Sequence, residues 1–143
     1  MGIWDRLQRR ADSFGDASIA VVGAGYVGTG AVHAIAQSPG MRPSLIANRN
    51  TGRAVDALTA MGVKADDIIH SDNADELTTA IREGRPAITS HAGIIAELPI
   101  DVVVEATGAL NYGTETILAM LDAGKHVVSF NACLLYTSDA ADE

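Results

Sequence analysis

Cysteine is almost absent from this 143-residue chain. With Cys133 alone, neither a disulfide framework nor a cysteine-based metal centre can be built. Positive charge is in deficit as well. Eighteen acidic residues against ten lysines and arginines leave a net charge of −8, which argues against nucleic acid or an anionic membrane as partner. No apolar run approaches the roughly 20 residues needed to span a bilayer, and the first residues lack the apolar core of a secretory signal. A cytoplasmic location is therefore the expectation. No internal repeat is visible. What the chain does have is apolar residues, 48% of it, and length enough for one domain with a real core.

The most informative stretch runs Ile19-Ala-Val-Val-Gly23-Ala24-Gly25-Tyr26-Val27-Gly28. An apolar, β-branched run feeds a glycine turn, and the turn opens a helix whose first N–H groups have no intrahelical partner. Gly23 lets the chain leave the strand sharply. Gly25 carries no Cβ, so phosphates can come close to the backbone, and Gly28 lets helix and strand pack tightly. Residues Gly23, Ala24, Gly25, Tyr26, Val27 and Gly28 are thus expected to cradle the diphosphate of a nicotinamide dinucleotide. The helix should bury Val27, Ala31, Ala34 and Ile35 and end at Pro39-Gly40, before a second strand at Ser44-Leu-Ile-Ala47.

The end of that second strand separates the two nicotinamide cofactors. A site for NAD(H) usually places Asp or Glu there against the ribose 2′-hydroxyl, whereas an arginine accommodates a 2′-phosphate. Here stand Asn48, Arg49 and Asn50, with no carboxylate. A carboxylate about 4 Å from a phosphate would cost on the order of 1–4 kcal/mol per charge pair, depending on the dielectric. Its absence removes that repulsion, and Arg49 could pair with the phosphate and stack on the adenine. NADP(H) is the preferred cofactor on this reading, with NAD(H) the alternative.

Along the rest of the chain, Trp4, Leu7, Ala11 and Phe14 recur at helical spacing. Residues 1–17 therefore form an amphipathic lead-in that covers a sheet edge or docks on a partner. A helix from Arg53 to Met61 should bury Val55, Leu58 and Met61; Ile68-Ile69 suggests a short extra strand. Asn73-x-x-Glu76 resembles a capping box ahead of Leu77, Ala80 and Ile81. Strands follow at 87–89, Asp101-Val-Val-Val-Glu105 and His126-Val-Val-Ser-Phe130. The helix between the last two, Thr114 to Asp122, should turn Ile117, Leu118 and Leu121 inward.

The acidic residues Asp66, Asp67, Asp72, Asp75 and Glu76 read as a solvated loop and helix start, not as a metal site. None of the four histidines has a carboxylate or thiol at ligand or triad spacing. Glu105 is the one charge expected to be half buried, in a structural role.

Alternating strands and helices give an α/β fold, a Rossmann-type doubly wound parallel sheet in three αβα layers, with strand order 3-2-1-4-5. Ligands in such sheets lie over the carboxyl ends of the strands at the switch point. That gathers the glycine turn, Asn48 to Asn50, Ala106-Thr107-Gly108 and Asn131 around one crevice. Thr107 and Gly108 would lie beside the nicotinamide ribose, and Asn131 within reach of the nicotinamide amide.

The dinucleotide domain is expected to run over residues 18–132. Residues 133–143, Cys-Leu-Leu-Tyr-Thr-Ser-Asp-Ala-Ala-Asp-Glu, resemble the translation of a transposon-type sequencing-library adapter. The expectation is that this tail is not native, that Cys133, Asp139, Asp142 and Glu143 are foreign, and that the parent reading frame continues beyond Ala132.

Three segments carry a family likeness: Val21-Val-Gly-Ala-Gly-Tyr-Val-Gly28, Asp101-Val-Val-Val-Glu-Ala-Thr-Gly108 and Ala123-Gly-Lys-His-Val-Val-Ser-Phe-Asn131. Over residues 3–132 the chain resembles the N-terminal cofactor domain of homoserine dehydrogenase-like oxidoreductases. More narrowly, it is similar to the branch with the deoxyxylulose-phosphate reductoisomerase-like enzymes, which often carry a C-terminal SAF domain. The resemblance implies hydride transfer between NADPH and a small carbonyl or alcohol substrate in the parent enzyme, with catalytic residues in a following domain. It departs at Ala132, near which homoserine dehydrogenases carry a lysine. A fragment without an opposed substrate domain should bind cofactor without turnover. Association with further copies of the chain stays open.

Two other classes compete. A non-catalytic dinucleotide-binding regulatory or redox-sensing module would call for a partner module, and none is visible. An S-adenosylmethionine site would want acidic residues before the glycines and after the second strand, where Val21-Val22 and Asn48 stand.

Overall fold

The central strands of this protein are buried on both faces, as their near-continuous apolar runs require, whereas the strands at the two edges are partly exposed. The computed structural model describes residues 2–130; Asn131 and the expected non-native tail lie outside them. Among the described residues six strands form one parallel sheet: β1 (Ala17–Val22), β2 (Met41–Ala47), β3 (Ile69–His70), β4 (Ala87–Thr89), β5 (Val102–Glu105) and β6 (His126–Ser129). Their order is β3-β4-β2-β1-β5-β6. Without the two-residue edge strand β3 this is the expected 3-2-1-4-5, a doubly wound Rossmann sheet. The chain leaves β1 toward one edge and β5 toward the other, so the switch point lies between them.

Five α-helices accompany the sheet: α1 (Ile3–Phe14), α2 (Tyr26–Ala36), α3 (Thr51–Thr59), α4 (Ala74–Arg82) and α5 (Leu110–Asp122). Alternation along β1 sends Ile19 and Val21 into one core with Val32, Ile35 and Leu58 from α2 and α3. Ala20 and Val22 point the other way, into a core with Leu77, Ile81, Ile95 and Met120. Pro43 sits inside the central strand β2, where its missing N–H would break a ladder. The register of β1 and β2 slips at that point, between Ile19 and Ala20, which accommodates it.

Several expected helix faces are rotated. On α2 the buried residues are Gly28, Val32 and Ile35, while Val27 and Ala34 are exposed. On α3 they are Ala54, Ala57 and Leu58, with Val55 and Met61 only partly covered. On α5 Gly113, Thr116 and Met120 face inward; Leu118 and Leu121 are 57% and 52% exposed, and Ile117 is half-buried. Close approach sets two of these positions, since a Cβ on Gly28 or Gly113 would lie 2.0 Å or 3.1 Å from the facing atoms, and the large residues that fill the rest of the α2 and α5 faces are Val32, Ile35 and Met120. On α1, Leu7 and Ala11 are half-buried, and the Leu7 carbonyl lies beside Gly40. Trp4 and Phe14, the ends of the expected stripe, are 55% and 81% exposed.

The expected capping box of α4 is half formed. Asn73 Oδ1 accepts from the N–H groups of Asp75 and Glu76, but the Glu76 carboxylate accepts from Ser71 Oγ instead of the Asn73 backbone. No described helix is long and apolar enough to cross a membrane.

Candidate dinucleotide site

The strand ends fix the floor of the site. Gly23 N–H donates to Ala47 O and Ala106 N–H donates to Val22 O, both at 2.8 Å, so the loops after β1, β2 and β5 leave from one level. Gly23 has φ of +106°, which L side chains rarely adopt, and a Cβ there would lie 2.7 Å from Ala106 O. A Cβ on Gly28 would lie 2.0 Å from Gly23 O. The first turn of α2 therefore rests directly on the backbone leaving β1, as the sequence predicts. Around Gly25 nothing lies within 4 Å of a built Cβ. Among the described residues the backbone N–H groups of Tyr26, Val27 and Gly28 meet no acceptor. Open space beside bare amides at a helix start fits an anionic diphosphate. Tyr26 is almost wholly exposed and Val27 half exposed.

A cleft of about 410 Å³ opens beside the glycine turn, lined by Gly23, Asn48, Arg49, Asn50, Thr107 and Tyr112 among others, including Arg53 and Ala109. Among the described residues its charged lining is two arginines and no carboxylate. Asn48 faces it from below and is tied on both sides: its Oδ1 accepts from Ala24 N–H at 3.1 Å and its Nδ2 donates to Asn50 O at 2.7 Å. It thus braces the glycine turn against the loop after β2. The Arg49 guanidinium carbon stands 5.1 Å from the centroid of the Tyr112 ring.

Glu105 differs from expectation in being fully buried. Its Oε1 accepts from the N–H and hydroxyl of Thr107, and its Oε2 from Ser129 Oγ at 3.2 Å. It pairs with no cation among the described residues. Thr107 Oγ1 in turn accepts from Ala109 N–H at 3.2 Å. The carboxylate thereby shapes the turn Ala106-Thr107-Gly108 and ties it to the end of β6. Gly113 makes room for it, since a Cβ there would lie 3.1 Å from the carboxylate.

At the carboxyl end of β4, Asp72 accepts from Thr89 Oγ1, Ser90 N–H and Ser90 Oγ at 2.7–2.8 Å, with His91 Nε2 3.8 Å away. The Thr89 hydroxyl first, then Ser90, hold its carboxyl down at about 2. No group of acidic residues, histidine or cysteine that could hold a metal occurs among the described residues. His33 Nε2 lies 3.0 Å from Ala57 O, a bond between helices.

The structure thus gathers Gly23, Asn48, Arg49, Asn50 and Thr107 around one cleft, while Gly25, Tyr26 and Val27 line a separate hollow along α2 and Gly28 is buried. Asn131 lies outside the described residues. Sequence reasoning missed Arg53, read only as a helix start, and Tyr112, which stands before the expected start of α5 but falls inside its first turn. An arginine four residues after Arg49 was the available signal for the first.

The family model for the NAD-binding domain of homoserine dehydrogenase matches residues 23–143. Apo scyllo-inositol dehydrogenase from Lactobacillus casei has a similar structure, with a TM-score of 0.58 and 18% identity over 80% of this chain and 28% of that one. An oxidoreductase described as putative, from Klebsiella pneumoniae, gives a TM-score of 0.56 and 22% identity over 79% of this chain and 25% of its own. The chain therefore spans about a quarter of the length of these structures, and at such identity they show the fold. No curated protein matches the chain in sequence.

Proposed function

The chain belongs to the family of homoserine dehydrogenase NAD-binding domains, and from that premise we propose that it holds NADP(H) as the cofactor-binding part of an oxidoreductase acting on a small carbonyl or alcohol. The observation that carries the choice of cofactor is the cleft lining: Arg49 and Arg53 supply its charge, and no carboxylate among the described residues lines it. A 2′-phosphate meets two guanidiniums there, whereas the ribose hydroxyl of NAD(H) lacks the acidic partner that usually receives it.

When bound, the nicotinamide would give a hydride to a carbonyl or take one from an alcohol. The chain's own residues bind and orient. Amides at the start of α2 take the diphosphate, and Thr107, locked by Glu105, forms the wall nearest the switch point. The cleft's charged groups are arginines, which stay protonated and exchange no proton near neutral pH. The segments ending in Gly108 and Asn131 support a place in the deoxyxylulose-phosphate reductoisomerase-like branch.

Titration of the 143-residue chain with NADPH and NADH, by calorimetry or cofactor fluorescence, tests the proposal. NADPH is expected to bind more tightly. Arg49→Leu should weaken NADPH by about 10- to 100-fold, the range of a charge-assisted hydrogen bond of roughly 1.5–3 kcal/mol, and leave NADH nearly unchanged. Tighter binding of NADH than of NADPH by the wild-type chain would overturn the cofactor assignment.

A further inference from the structure

Arg49 is exposed, sits on a loop, and makes no ion pair among the described residues. What meets its guanidinium is the ring of Tyr112, with the cation 5.1 Å from the centroid. That ring is partly buried, belongs to the first turn of α5 and packs against the core beneath the sheet. An exposed cation thus rests over an aromatic ring that packs against the core. The pair also stands between two hollows. On one side lies the cleft with Gly23, Arg53 and Thr107; on the other, a hollow of about 590 Å³ lined by Ser90, His91, Ala92 and Gly93. Both Arg49 and Tyr112 line each of them.

We propose that Tyr112 is a positioning and specificity residue: it holds Arg49 in the place where a 2′-phosphate is received, and so favours NADP(H) over NAD(H). This rests on the NADP(H) reading given above. An arginine free to sample solvent must be ordered when the phosphate arrives, and that ordering subtracts from affinity. Stacking on a ring anchored in the core orders it beforehand. A guanidinium held over the ring by its charge keeps N–H groups available for a phosphate. Because Tyr112 acts through Arg49, its contribution belongs to the nucleotide that carries the extra phosphate.

The test is a cycle on the full chain with NADPH and NADH as probes, using Tyr112→Leu, Arg49→Leu and the double variant, with Tyr112→Phe as the conservative control. Tyr112→Leu is expected to weaken NADPH about two- to fivefold, the ratio that matches an exposed cation–π contact, with NADH little changed. Tyr112→Phe should restore NADPH binding. In the Arg49→Leu background, Tyr112→Leu should have no further effect on NADPH. Equal losses for both nucleotides, or a loss that persists without Arg49, would show that Tyr112 is a plain wall of the cleft and overturn the proposal. Should Tyr112→Leu fail to fold, NMR of the wild-type chain decides. The Arg49 side-chain protons are expected upfield of the usual arginine range through the ring current, and their appearance at ordinary positions would overturn it. A wild-type chain that binds neither nucleotide would instead refute the cofactor reading itself.

Discussion

Two methyl groups placed three residues apart in the glycine turn should have opposite consequences. A Cβ on Gly28 would stand 2.0 Å from the Gly23 carbonyl oxygen, whereas unstrained carbon contacts settle at about 3.5–4.0 Å. The obstacle is backbone, held by the Gly23 N–H bond to Ala47 O, so α2 must lift from the sheet by about 1 Å or more. Overpacking of this kind costs about 1–3 kcal/mol and occasionally more, and a rigid neighbour points to the upper end. For a domain of this size about 3 kcal/mol lowers the melting temperature by roughly 10 °C. Gly25 has φ of −80°, and a Cβ there has nothing within 4 Å. Gly25→Ala gains about 0.4–1 kcal/mol from a stiffer unfolded chain and gives back a similar amount at the helix cap, so the melt should stay within about 3 °C. Its methyl group would instead stand where phosphate oxygens approach the amides of Tyr26 and Val27. Loss of one such charge-assisted bond, about 1.5–3 kcal/mol, weakens NADPH by about 10- to 100-fold. Circular dichroism melts and calorimetric titration of both variants measure the two effects. A Gly28→Ala chain melting with the wild type, or a folded Gly25→Ala chain with wild-type affinity, would refute the argument.

Glu105→Ala leaves the N–H and hydroxyl of Thr107 without their acceptor in a buried site, and should cost about 2–4 kcal/mol in urea unfolding; Glu105→Gln, which keeps one oxygen, should cost clearly less, and equal stability of Ala and wild type would refute the role of the carboxylate. Asp72 titrates lower in the folded chain than its ordinary value of 3.8, at about 2, through the hydrogen bonds of Thr89 and Ser90. A depressed folded value gives stability that is complete above the unfolded value and is lost as pH falls toward the folded one, so the advantage of wild type over Asp72→Asn should shrink between about pH 4 and pH 2. Chemical unfolding across that window checks it, and a gap that is constant with pH would count against the network.

The glycine turn was legible because it is local. Three glycines, a β-branched run and a helix carry their own geometry, and the structure keeps the turn at Gly23 and the close packing at Gly28. Strand order was legible for the same reason, since apolar runs at regular spacing leave few right-handed topologies. The inward faces of α2 and α5 were not, because close approach to the Gly23 backbone and the Glu105 carboxylate turns Gly28 and Gly113 inward, and glycine carries no apolar signal. Gly113 and Thr116 face the sheet beside Glu105 while Leu118 and Leu121 turn outward. Tyr112 escaped for a related cause. An Asn-Tyr-Gly stretch carries no helical period of its own, so nothing in the chain marks Leu110 as the start of α5 or points the ring at Arg49.

Asn48 shows why cofactor choice and loop geometry cannot be separated by a single charge. Ala24 N–H can only donate and Asn50 O can only accept, so the amide must present its oxygen to the first and its nitrogen to the second. Asn48→Asp, the obvious change to make an NAD(H) site, keeps the acceptor for Ala24 but turns a second oxygen toward the Asn50 carbonyl, where the donor now stands at 2.7 Å. Two acceptors at that distance repel. The aspartate must rotate away or push the loop after β2 off the glycine turn, and that loop carries Arg49 and Asn50. The expected result is weaker NADPH binding, by about tenfold for a lost interaction near 1.4 kcal/mol, without a compensating gain for NADH. A variant that gained NADH affinity while keeping the wild-type melting temperature would show that the brace is dispensable. It would also show that the ribose hydroxyl, and not the loop, is what residue 48 serves.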